Sequence, residues 1–78
     1  MTAEDFVVEV GKLMAEYPTA DSYSLAPVAW ERAGGGVINL SMPLHLTACA
    51  IVMALQVGEV GAAATLIAQL DEQLQRGV

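Results

Sequence analysis

Basic residues are scarce in this chain. Lys12, Arg32 and Arg76 are the only three, against nine Asp and Glu, leaving a net charge of −6 and a pI near 4.2. A grip on phosphate depends on Lys and Arg releasing counterions, so direct binding of nucleic acid is excluded as a function class. An anionic membrane surface would repel the chain for the same reason. Cysteine is scarcer still: Cys49 stands alone, which excludes an intramolecular disulfide and any argument for an oxidising compartment. A secretory leader is not visible either. The start, Met1-Thr2-Ala3-Glu4-Asp5, is acidic where a signal would be basic, and no apolar segment follows it. The cytoplasm is the expected compartment. Long hydrophobic runs are also missing. The unbroken run Leu44 to Val57 has 14 residues, including His45 and Gln56, against the roughly 20 that a bilayer requires. Extending it would set Gly58, Glu59 and Gly61 near mid-membrane, where a carboxylate is costly, so no membrane span is expected.

What the chain does have is apolar surface. Of its 78 residues, 55% are hydrophobic, while a chain this short buries only about 60 to 65% of the surface its unfolded form exposes. From Leu44 to Asp71 a single acid, Glu59, interrupts apolar and small residues. Something must cover that stretch, whether the rest of the chain, a second copy or another protein. No repeat or linker divides the sequence, so one domain is expected.

Periodicity places the elements. Thr2 followed three residues on by Asp5 is a helix start of the capping-box kind, and Phe6, Val10, Leu13, Met14 and Tyr17 recur on one face until Pro18 stops the run. This predicts a helix over about 3–17. Its opposite face carries Asp5, Glu9, Lys12 and Glu16, an acidic stripe with one lysine inside it. Farther on, Val28, Trp30 and Arg32 alternate with Ala29 and Glu31, and Ile38, Leu40 and Met42 alternate with Val37, Asn39 and Ser41. With Gly34-Gly35-Gly36 between them, these runs predict an antiparallel β-hairpin of about 26–32 and 37–42, with Pro27 at the strand entrance. Pro43 then opens a helix over about 43–57, Gly58 breaks it, and a last helix covers about 59–76. In that last helix Val60, Ala63, Ala64, Ile67, Leu70 and Leu74 are expected inward. The fold class is α+β, ordered α-β-β-α-α, with three helices and one hairpin.

Little in the sequence carries chemistry. The glycine triplet has no lysine at phosphate-loop spacing and leads into no helix, so it reads as a turn. His45 and Cys49 stand four apart on a helix, but two ligands make half a zinc site and the chain has no further His or Cys. The simpler reading is a small buried thiol beside an imidazole. No acid or amide lies close in sequence to orient His45 as a base, and the adjacent carboxylates Glu4 with Asp5 and Asp71 with Glu72 do not face one another. No enzyme, metal or cofactor is expected.

Two function classes follow. In the first, the chain is a protein-binding module that occupies a partner's surface through Asp5, Glu9, Glu16, Trp30 and Glu31, the partner being a basic nucleic-acid-binding protein whose phosphate groove an acidic face would fill. Trp30 enters because lone tryptophans are enriched at binding hot spots, the competing reading being a core side chain. Acidic anti-defence inhibitors encoded by phages and mobile elements share this size and charge, a likeness of composition alone. In the second, the chain assembles with itself as a homodimer, through the apolar second helix at Met53 and through unpaired strand edges at Asn39.

Overall fold

The computed structural model describes residues 1–77, and four helices build it: α1 (Ala3–Glu16), α2 (Ser22–Arg32), α3 (Pro43–Gln56) and α4 (Val60–Gln75). Among the described residues there is no strand, which corrects the expected α+β class and its α-β-β-α-α order to an all-helical domain.

The start of α1 is fixed by its sequence. Thr2 stays extended, its hydroxyl accepts from the Asp5 N–H at 3.1 Å, and its own N–H donates to Asp5 Oδ2 at 3.0 Å, so each satisfies an amide that the helix leaves orphaned. Asp71, far along the chain on α4, accepts a third amide from Ala3 at 3.4 Å. Pro18 ends the helix by restricting Tyr17, which leaves the α region at φ −129° and ψ 69°.

The segment read as the first strand is α2. Asp21 caps it, accepting the Ser24 N–H at 2.8 Å, and the buried residues Ser22, Leu25, Ala26, Ala29 and Trp30 recur at helical spacing. Pro27 sits inside this helix. The donor it lacks would have gone to the Tyr23 carbonyl, and Tyr23 is an exposed residue, so the missing bond falls on the outer side of the helix. The glycines close the helix instead of turning a hairpin. Gly34 takes φ +93°, its N–H donates to the Glu31 carbonyl and the Gly35 N–H to the Trp30 carbonyl, a paired end that only a left-handed residue permits.

Residues 37–42, read as the second strand, form a loop bonded to itself. Asn39 Oδ1 accepts from Ser41 N at 3.0 Å and from Ser41 Oγ at 2.7 Å, and His45 Nδ1 accepts from the Asn39 N–H. These local bonds occupy the groups that a ladder would have used.

The helices close a ring in which α1 packs on α2, α2 on α3, α3 on α4, and α4 returns to α1. At its centre Phe6, Trp30 and His45 meet edge to face, the ring centres 5.5 Å apart for the first pair and 5.0 Å for the second. Phe6, Val10, Leu13, Trp30, Ile51, Val52 and Leu70 complete the core with side chains at or near zero exposure. In α4 only Ala63 and Leu70 are buried, with Ile67 and Leu74 partly covered; Val60 and Ala64, expected inward, face solvent. No helix is long and apolar enough among the described residues to cross a membrane.

Candidate protein-interaction surface

The residues expected to bind a partner divide between surface and core. Asp5 and Glu16 are exposed on α1, with Glu9 half-buried between them and Glu31 exposed near the end of α2. Trp30 is different. Only 1% of it is exposed, and its indole N–H donates to the Gly35 carbonyl at 2.9 Å, so it is a core side chain with its polar handle already satisfied. The contact role expected for it is corrected to a structural one.

Along α1 the electrostatics are uneven. Lys12 Nζ, exposed, lies 3.4 Å from Oε1 of the half-buried Glu9, a pair that lowers the net charge in the middle of the stripe. Asp5 is held below the usual carboxylate range by its bonds with Thr2, first that with the Thr2 backbone, and so keeps its charge at neutral pH. The stripe therefore presents charge at its two ends, Asp5 and Glu16.

Beside the stripe runs the seam where α1 meets α2. One recess of about 260 Å³ is lined by Asp5, Val8, Glu9, Arg32 and Ala33. A second, of about 270 Å³ and mostly apolar, is lined by Leu13, Tyr17, Ala20, Ser24, Leu25, Val28 and Arg32. Arg32 borders both. Around the α1–α2 turn lies a third recess of about 390 Å³, formed by Met14, Tyr17, Pro18, Ala20 and Gln56, where Gln56 Nε2 donates to the Ala20 carbonyl at 2.7 Å. Sequence reasoning missed Tyr17, Val28 and Arg32 as surface residues because it placed Tyr17 inward and the other two on a strand. The signal was present: Val28 and Arg32 are four apart, one helical turn, and Tyr17 stands directly before the Pro18 that ends its helix, where the structure leaves it 54% exposed.

The self-association residues also separate. Asn39 sits in the loop before α3, and without strands the edge-pairing role expected of it is withdrawn. Met53 is half-exposed on α3, in line with exposed Leu46 and Val57. His45 and Cys49 are both 5% exposed on α3. Burial raises the Cys49 thiol, which disfavours the thiolate that nucleophilic or metal chemistry needs. Among the described residues, no three His, Cys, Asp or Glu side chains gather where a metal could sit.

No protein family, no curated protein and no solved structure matches the chain.

Proposed function

We propose that this chain is a small, non-enzymatic protein-binding module that works in the cytoplasm by laying its acidic α1 face on a basic surface of another protein, of the kind that otherwise holds nucleic acid. The observation that carries this reading is the placement of Asp5, Glu9 and Glu16 along one side of a single helix beside an open seam, the two end residues exposed and Glu9 half-buried in the seam. Opposite charge steers encounter and suppresses wrong partners, and a carboxylate row offers the partner's Lys and Arg what a phosphate row would. An acidic inhibitor of the phage or mobile-element type fits this description by analogy of size and charge. The test is retention of heparin-binding proteins from source-cell lysate on immobilised chain, with and without competing DNA. Retention that DNA displaces and that Glu9→Lys with Glu16→Lys abolishes supports the reading. Retention indifferent to the charge reversal sinks it. Asp5 is changed separately, to Asn, because Lys there would also break the α1 cap.

A second reading has its own observation. From Ala33 to Gly58 the chain contains no Asp, Glu, Lys or Arg, and Leu46, Met53 and Val57 stand exposed within that run. Two copies could meet there with their acidic faces apart, giving a homodimer. Sedimentation of the native chain against Met53→Glu decides this: a concentration-dependent dimer that the charge dissolves supports it, and a monomer throughout counts against it.

A further inference from the structure

The α1–α2 seam is more than an edge of the acidic face. Its apolar recess has a floor of Leu13 and Leu25, which are 1% and 3% exposed, and walls of Tyr17 and Val28, which are 54% and 41% exposed. An aliphatic side chain entering between the walls would therefore touch the core directly. Apolar walls half in water over a buried floor lose water from several side chains at once when filled, which is the arrangement of an anchor pocket.

We propose that the seam receives an amphipathic helix of the partner, with an aliphatic side chain seated between Tyr17 and Val28 and its Lys and Arg confined to the flank that faces α1. This rests on the reading of the α1 face as the binding surface, and it names what that surface binds. Three observations select the occupant. No strand occurs among the described residues, so there is no sheet edge for an extended peptide to join, whereas a seam between two helices takes a third by its apolar face. Farther along the same seam the neighbouring recess is lined on its α1 side by Asp5 and Glu9, so an occupant that runs along the seam is basic on that flank. A second copy does not fit, because no helix of this chain is itself basic: α1 has four acids and one lysine, α2 has Glu31 and Arg32, α3 has no charged residue, and α4 has Asp71 and Glu72.

Arg32 sharpens the selection. The two ion pairs among the described residues are Lys12 with Glu9 and Arg76 with Glu72, which leaves Arg32 unpaired where the two recesses join. It repels a helix with lysines on every side and tolerates one whose basic residues keep to the α1 flank, a discrimination made by repulsion.

The test uses the intact chain and a synthetic amphipathic helix of leucine and lysine, about 18 residues long, beside a scrambled peptide of the same composition, with affinities read by titration calorimetry. The amphipathic peptide is expected to bind at least about tenfold more tightly than the scramble, and Val28→Glu to weaken it by about tenfold or more. That variant separates the mechanisms, because added negative charge should strengthen a purely electrostatic attachment while it blocks an apolar anchor. Tyr17→Ala, with helicity checked by circular dichroism, gives the same answer without a charge change. Equal binding of both peptides, or undiminished binding to Val28→Glu and Tyr17→Ala, overturns the anchored helix. If Glu9→Lys with Glu16→Lys still abolishes binding in that case, the acidic-face reading survives alone; if the reversal also has no effect, both fall.

Discussion

A side chain at Gly35 has nowhere to go. A Cβ there would collide with Trp30 Nε1, and the atoms it meets belong to a rigid indole already held between Phe6 and His45. Gly35→Ala is expected to destabilise the fold by about 1–3 kcal/mol, the usual cost of overfilling a packed site, and to disturb the near-ultraviolet dichroism of Trp30. Gly11→Ala is the contrasting case. It lies in α1 with nothing within 4 Å of a new Cβ, so the same substitution should raise stability, by up to about 1 kcal/mol. Finding the two changes equal in denaturant titrations would refute the packing assigned to Gly35. Cys49 makes a pH prediction. Its thiol is raised by burial, so the folded state favours the protonated form; the associated stability is fully present below the unfolded thiol pKa, about 8.5, and is lost as pH rises above it. Thermal midpoints should therefore fall between about pH 8 and pH 10 more steeply for the native chain than for Cys49→Ala, whatever the offset between the two at pH 7. Parallel curves would show that the thiol does not titrate with unfolding.

At the scale of elements, α1 was legible because its signals agree: Thr2 and Asp5 cap it, the apolar face repeats without a break, and Pro18 stops it. The second element was not, because its signals compete. Val28, Trp30 and Arg32 alternate as a strand would, and Pro27 argues against a helix interior, whereas the set from Ser22 to Trp30 repeats as a helix only when Asp21 is taken as its cap instead of as a turn former. Local propensity thus pointed one way and tertiary burial the other, and the apolar stripe facing Phe6 and His45 prevailed. Asp21→Ala should consequently cost about 1 kcal/mol and lower helicity, since it removes the acceptor for Ser24 N–H. Pro27→Ala should act in the opposite direction, restoring the helical donor to Tyr23 and raising stability by up to about 3 kcal/mol. If neither substitution alters the far-ultraviolet helical signal or the unfolding midpoint, α2 is not held as described.

For the molecule as a whole, composition foretold charge but not the seam. Net charge and the spacing of Asp5, Glu9 and Glu16 are properties of the sequence, while a recess between α1 and α2 exists only once both are helices and packed together. The same distribution has an energetic consequence. α1 contributes a net −3 from Glu4, Asp5, Glu9 and Glu16 against Lys12, half of the total of −6, and it lies in one short helix. Folding draws these carboxylates together, so their repulsion opposes the compact state at low ionic strength and fades as the screening length shortens from about 14 Å toward about 4 Å between 0.05 and 0.5 M salt. The thermal midpoint should thus rise by a few degrees over that range in NaCl. Glu16→Gln should raise the midpoint at low salt and lose that advantage at high salt, because it removes one repelling charge without touching a hydrogen bond or a buried contact. A midpoint that is flat in salt for the native chain would mean that Lys12 and the counterion atmosphere already balance the stripe. An acidic face so balanced would attract a basic partner weakly, and the anchor between Tyr17 and Val28 would then have to supply most of the affinity.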